Sequence, residues 1–418
     1  MKKVGYWMTE KKLKKLDFHT IFSGLCRKKN IELVKIDLLQ PLEAQGPFSV
    51  IIHKLTDVLS LAHDGDKKSQ MMMDNLKTYT KDHPNVPILD PLDSVCKLMD
   101  RNASYTLFQN AFQKTSVHGK VLVPNFVEIH TKDVAEIKRL LEGAKVKYPF
   151  VCKSSKAHGS VKSHEMAIIF NDAGLKDIEP PCVAMTFINH NAQMHKIFII
   201  GHDFLLVKRP SIKNFVSAGL SDKSTIFFHS HDVSKPHSSS FLNELDKNDL
   251  NRETVLPSNE ILEELVSAVT QSLQLSLFGF DVIVENDTGV HYVIDINAFP
   301  GYDGVPMFYE KLLDYIQRLI SISETNCTGT NHTTSNNRTH NDNAVPNHSL
   351  QDGWRDGIKA GSFTLGSLGA VFHQGKRYGV ERAYAKDLPT PQDKNSSTCF
   401  QSEKFIIVCS FLTWQYIW

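Results

Sequence analysis

Over the first 115 residues, short apolar bursts alternate with longer amphipathic stretches. "KKVGYWM", "IELVKIDL", "SVIIHKL" and "VPILDP" read as strands. Leu13, Leu16, Ile21 and Leu25 draw an apolar stripe along a lysine-rich segment that ends near Lys29, and Met71–Lys81 and Val95–Phe112 are likewise helical in period. Alternating strands and helices predict a parallel sheet in a β/α domain, residues 1–115. The pattern then changes. Over 116–190, "FVEIH", "YPFVCKSS", "EMAIIF" and "CVAMTFI" are strands, with one helix at Asp133–Leu141. Over 191–321, "HKIFIIGHDFLLVKRP" predicts a hairpin turning at Gly201, followed by a polar loop and a helix over Ser258–Gln274. "LFGFDVIVENDTGVHYVIDINAF" predicts a second hairpin, and the last helix runs from Met307 to about Ile320. The fold class is thus α/β for the first domain and α+β for the two that follow.

From residue 322 the pattern ends. "SETNCTGTNHTTSNNRTHNDNAVPNHS" is rich in Asn, Thr, Ser and His and has too few apolar residues for a core, so 322–418 is expected to be a disordered tail. Its Asn-X-Ser/Thr matches at Asn326, Asn331, Asn337 and Asn347 are not expected to be glycosylated, because the opening "MKKVGYWMTEKKLKK" lacks the apolar core of a signal peptide. No apolar run reaches the roughly 18 residues of a membrane helix.

Composition narrows the partners. Of 418 residues, 47 are Lys or Arg and 46 are Asp or Glu, for a net charge of +1, so neither nucleic acid nor membrane is an expected partner. Any anionic ligand must be drawn by a local cluster. The seven cysteines include no CxxC pair, which argues against zinc and a disulfide framework and for a reducing compartment.

The candidate chemistry concentrates in "FDVIVENDTGVHYVIDINAFPGYDG". A hairpin turning at Asn286–Gly289 folds Asp281 back opposite Asp295, and Asn297, two residues on, shares its face. Three hard oxygen side chains then converge, as magnesium requires. The same pattern also fits an amphipathic hairpin with a solvated polar face. Lys153 closes the strand "YPFVCK" just before the glycine-containing "SSKAHGS", a place from which a lysine can reach nucleotide phosphates. A surface lysine beside a turn would look the same.

"DINAFPGYDG", together with "VGYW", "IIHKLTDV", "AHGS", "SHEMAI", "FINHN", "KRPS" and "SHDVSKP" in that order, resembles the inositol-tetrakisphosphate 1-kinase family, also called inositol 1,3,4-trisphosphate 5/6-kinases, over residues 1–320. The resemblance implies an ATP-grasp fold, a cytoplasmic monomer, and a kinase that uses magnesium and ATP to phosphorylate a soluble inositol polyphosphate. It implies magnesium at Asp281, Asp295 and Asn297. It implies ATP at Arg101 and Lys153, along the segment Met185, Thr186, Phe187, Ile188, Asn189, His190, Asn191, Ala192, Gln193, Met194, His195 and Lys196, and near Ser211, Ser230 and Ser234. It implies the acceptor at Lys12, Lys54, His164, Lys196 and Asn297, with Arg209 and Gly301 as lesser candidates. A family member usually carries a polar residue, often glutamine, where this chain has Met185, so a side-chain amide is lost while backbone recognition of adenine survives. No residue declares itself a general base, although His158 or His164 stands in the right region. Two other readings share these motifs: an ATP-grasp carboxylate–amine ligase, whose acceptor pocket needs fewer cations, and a non-catalytic inositol-phosphate-binding module.

Overall fold

The computed structural model describes residues 1–158, 161–215, 223–250, 255–302 and 305–329. Its first part runs β1 (Lys2–Trp7), α1 (Glu10–Leu16), α2 (Phe18–Lys28), β2 (Ile31–Lys35), β3 (Val50–His53), α3 (Thr56–His63), α4 (Lys67–Asp82), β4 (Ile88–Leu89) and α5 (Leu92–Cys96). Its strands make a parallel sheet ordered β2-β1-β3-β4. The lysine-rich segment is two helices and not one, because Asp17 takes a left-handed conformation (φ 51°) that ends the first and starts the second. The helix expected over Val95–Phe112 is also broken. Asp100 caps a new helix by accepting the Ala103 N–H at 2.7 Å.

The chain continues with α6 (Arg101–Phe112), β5 (Val121–Leu122), β6 (Phe126–Ile129), α7 (Val134–Gly143), β7 (Phe150–Ser154), β8 (Glu165–Ile169) and β9 (Cys182–Thr186). Then come β10 (Gln193–Ile200), β11 (Asp203–Pro210), β12 (Thr225–His229), α8 (Ser230–Ser234), α9 (Asn259–Leu273), β13 (Leu277–Val284), β14 (His291–Ala298) and α10 (Phe308–Gly329). An antiparallel sheet is ordered β12-β8-β7-β9-β6, and a second, mostly antiparallel sheet is ordered β11-β10-β13-β14-β5. Each sheet borrows a strand from the sequence region of the other: β5 joins the later sheet, and β12 joins the earlier one. The stretch read as a polar loop after Pro210 therefore contains both β12 and α8. Phe227, 66% exposed, lies on the open edge of the sheet and left little alternation to read.

Helices α6 and α9 cover one face of the later sheet, where Phe108, Leu265 and Val269 share a core with Phe278, Phe280 and Val282. On the other face, Phe198, Ile200 and Leu277 join Val4, Phe18, Phe22 and the α10 residues Leu312 and Ile316. Burying each such side chain contributes about 2 kcal/mol, and this shared core seats the β1–β4 domain beside the β13–β14 hairpin. Helix α10 runs past the expected end at Ile320 as far as Gly329, and Ser323 Oγ donates to the Asn85 carbonyl at 2.7 Å. The rest of the expected disordered tail, 330–418, lies outside the described residues.

One further clasp joins the first domain to the later sheet. The buried Asp90 carboxylate accepts the Ser276 and Leu277 N–H groups, both at 2.8 Å. Burial pushes its carboxyl up to about 7, against the two N–H donations. Because the native pKa lies above the unfolded value of roughly 3.9, the stability this group contributes is complete below about pH 4 and is lost as pH rises through 7. Asp90→Asn keeps the shape but turns an N–H donor toward a backbone N–H. It is expected to lower stability at pH 5 by about 1–3 kcal/mol in urea unfolding, and to flatten the decline between pH 4 and 7. An unchanged urea midpoint would rule out the clasp.

Candidate active site

The site begins with register. On β13 and β14, Asp281 pairs directly with Asp295 and Gly279 with Asn297. Past Asp281 the register shifts, so that Val282 pairs with Val293 and Ile294 is an extra residue with no partner, a β-bulge. The bulge switches the phase of β14. Val293 lies in the core with Val282, whereas Asp295 and Asn297 are turned to the opposite face and Ile296 returns to the core. The two carboxylates thus share one side of the sheet, and the Asn297 amide donates to Asp295 Oδ2 at 3.1 Å.

Cations surround this pair. Lys196 on β10 lies opposite Asp281 on β13, and its Nζ is 2.6 Å from Asp281 Oδ1. Arg101 Nε is 3.8 Å from Asp295 Oδ1. Burial pushes the Asp281 carboxyl above its ordinary range, with the Lys196 ammonium pulling back and the Asp295 charge adding to the rise. Burial also opposes charge on Asp295, but Arg101, Lys153 and Lys196 outweigh it and hold that carboxyl below its ordinary range. Two carboxylates and the Asn297 side chain offer hard oxygen ligands on one side of the sheet. The residues therefore fit a magnesium ion.

Lys153 on β7 faces the same hairpin from the other sheet. Its ammonium donates to the Ile294 carbonyl at 2.7 Å and to the Tyr105 hydroxyl at 3.3 Å, and burial pulls it down to about 8. Arg101 is mostly occupied. Nη1 donates to the carbonyls of Ser154 and Lys156 and Nη2 to that of Ser163, so the guanidinium ties down the two ends of the glycine-containing segment that follows Lys153.

Two lysines arrive from the first domain. Lys54 Nζ donates to the Ala298 carbonyl, and Lys12 Nζ donates to those of Phe299 and Pro300. Both ammonium groups thus sit at the end of the strand that carries Asp295 and Asn297. Burial pulls Lys54 down to about 8. Gly301 follows directly in sequence. His164 approaches from another direction: its Nδ1 is 3.3 Å from Ser230 Oγ, and its ring centroid is 4.1 Å from that of His231. Burial and then the neighbouring His229 lower the His164 pKa. The structure therefore gathers Lys12, Lys54 and Asn297 in one place and sets Lys196 against a carboxylate.

The expected adenine segment splits in two. Met185 ends up in the core with Val183, Ile197 and Val282, 2% exposed, in keeping with its thioether chemistry. Thr186 and Phe187 donate their N–H groups to the Asn125 and Pro149 carbonyls. Beyond Ile188, Asn189 exchanges two hydrogen bonds with Phe215, and Asn191 exchanges two with Asn214. Asn191 and Ala192 have positive φ values of 56° and 52°, which turn the chain into β10. There Gln193 bonds His195 at 3.2 Å, and Met194 pairs with the buried Arg209. The Ser211 hydroxyl is bonded to His190 Nε2 at 2.7 Å, and Ser234 Oγ donates to the Ser230 carbonyl at 2.7 Å. Tyr105 and the Ile294 bulge were missed from the sequence. A tyrosine on an amphipathic helix and an isoleucine on a strand both look like packing.

A sheet carrying a buried lysine, set against a second sheet carrying paired carboxylates, is the arrangement of an ATP-grasp enzyme. The chain matches the inositol 1,3,4-trisphosphate 5/6-kinase ATP-grasp domain over residues 115–318 and the pre-ATP-grasp domain of the same kinases over residues 3–95. It belongs to the inositol 1,3,4-trisphosphate 5/6-kinase family, and that membership makes it an ATP-using inositol polyphosphate kinase. The inositol-tetrakisphosphate 1-kinase of Xenopus laevis is 46% identical over 319 residues, 76% of this chain and 79% of that protein. The enzyme of the same name from Danio rerio has the same identity and the same coverage. Inositol-tetrakisphosphate 1-kinase 4 of Glycine max is 34% identical over 327 residues, 77% of this chain and 89% of that protein.

Proposed function

We propose that this kinase transfers the γ-phosphoryl group of ATP to a hydroxyl of a soluble inositol polyphosphate, with inositol 1,3,4-trisphosphate and inositol 3,4,5,6-tetrakisphosphate as the acceptors its relatives suggest. The observation that carries the reading is the meeting of Lys12 and Lys54, from the first domain, with the end of the strand bearing Asp295 and Asn297. An acceptor whose phosphates replaced the backbone carbonyls on those lysines would lie beside the carboxylate pair.

Asp281, Asp295 and Asn297 would hold magnesium, which supplies charge neutralisation for the nucleotide phosphates. Lys153 would exchange the Ile294 carbonyl for a phosphate oxygen and offset the charge that builds on the transferred group. Lys12, Lys54 and His164 would orient the acceptor by charge-assisted contacts, with Lys196 close to both substrates. Desolvation, then the Lys54 and Arg101 charges, pull the half-buried His158 imidazole down to about 3. A ring that weakly basic is a poor proton acceptor, so the rate is expected to rest on positioning and charge. The seven cysteines and their lack of CxxC spacing support a reducing, cytoplasmic setting. No described helix is long and apolar enough to cross a membrane.

The test is a panel. The purified chain is incubated with magnesium and ATP and, in turn, with inositol tris-, tetrakis- and pentakisphosphates and with amino acids. Phosphate transfer to an inositol tris- or tetrakisphosphate is expected. ATP cleavage that depends on a carboxylate and an amine would point to ligase chemistry instead, and binding without turnover would mark a non-catalytic module.

A further inference from the structure

We propose that Tyr105 is a positioning residue that lets Lys153 leave its resting place when nucleotide binds. The inference rests on the reading above, in which Lys153 meets ATP phosphates. Ile294, as the extra residue of a bulge, has no ladder partner, so its part-buried carbonyl turns to side chains. Two serve it: Lys153 Nζ at 2.7 Å and the Tyr105 hydroxyl at 3.0 Å, and these are themselves 3.3 Å apart. Tyr105 is 1% exposed and is held on α6 by an edge-on contact with Phe126, so it cannot follow Lys153 elsewhere.

The arithmetic of partners gives the function. In the free protein the carbonyl has two donors. Once Lys153 turns to a phosphate, Tyr105 alone keeps it satisfied. Without the hydroxyl, moving Lys153 would strand a part-buried carbonyl, so the lysine would be held back at the bulge. The same hydroxyl fixes the residue next to Asp295, so the bulge keeps its shape while the lysine is away. Tyr105→Phe should therefore act on the nucleotide-bound state far more than on the free protein, where Lys153 still covers the Ile294 oxygen.

The experiment measures the dissociation constant of magnesium-ATP by calorimetry, together with the melting temperature of the free protein, for wild type, Tyr105→Phe, Lys153→Met and the double variant. Tyr105→Phe is expected to weaken magnesium-ATP about tenfold, the scale of one orphaned acceptor, while leaving the free protein's melting temperature and the acceptor's Michaelis constant close to wild type. In the Lys153→Met background there is no lysine to release. Adding Tyr105→Phe should then lower the melting temperature and leave nucleotide affinity where Lys153→Met alone put it. If Lys153→Met binds magnesium-ATP like wild type, the assignment of Lys153 fails and the inference fails with it. If Lys153→Met weakens binding and Tyr105→Phe does not, the role of Tyr105 alone is overturned. A Tyr105→Phe chain that melts far below wild type or does not fold also overturns it, because the hydroxyl would then be needed before any nucleotide arrives.

Discussion

Asp295→Ala is expected to fold and to lose phosphoryl transfer by at least about a hundredfold, the scale of removing one preorganised electrostatic group. The carboxylate lies opposite Asp281, has the Asn297 amide on one oxygen, and has Arg101 3.8 Å from the other. Removing it strips Arg101 and Lys153 of their nearest counter-charge, so the variant should also be less stable, by about 3 kcal/mol. Asp281 remains to balance part of the positive charge. Magnesium-ATP should raise the melting temperature of the wild-type chain by mass action and should leave that of the variant unmoved. A folded Asp295→Ala chain that turns over at the wild-type rate would remove these residues from the reaction.

Lys54→Ala is expected to raise the acceptor's Michaelis constant about ten- to a hundredfold, as for a lost charge-assisted contact in a partly dry cleft. The constant for ATP should hardly change, because Lys54 comes from the first domain and meets β14 at Ala298, on the far side of Asn297 from the Lys153 contact at Ile294. The defect should shrink at high salt, where screening already weakens the wild-type contact. Lys196→Ala should behave differently and disturb both substrates, since its ammonium rests on Asp281. Steady-state kinetics with each substrate varied in turn decides the matter. An acceptor constant left untouched in Lys54→Ala would break the link between the first domain and the acceptor.

Much of the fold was legible because its strands are short apolar runs with clear turns. The hairpin at Gly201 and the β13–β14 hairpin lie where the pattern put them, and Asp281 meets Asp295 as the folding-back of that hairpin required. The bulge at Ile294 was not legible. Nothing in "YVIDIN" marks which residue lacks a partner, because the choice is made by Lys153 and Tyr105, 141 and 189 residues away in sequence. Breaks at Asp17 and Asp100 were missed for a related reason. An aspartate within a helical period is equally at home on a solvated face or as a cap, and only the local backbone decides. Strand β12 was missed because an edge strand with an exposed Phe227 lacks the alternation that burial imposes. The shared position of Lys12 and Lys54 depends on the core that joins two domains, and no spacing of lysines encodes it.

Lys54 rests on the carbonyl oxygen of Ala298, and Lys12 reaches those of Phe299 and Pro300. A main-chain oxygen carries no net charge and survives most substitutions at its own position. The Lys54 ammonium therefore waits for its ligand in a holder that satisfies it without neutralising it. A protein engineer altering acceptor preference would thus keep the backbone path and the buried Ala298 and Phe299 of that strand end, and would find the leverage in the lysines themselves.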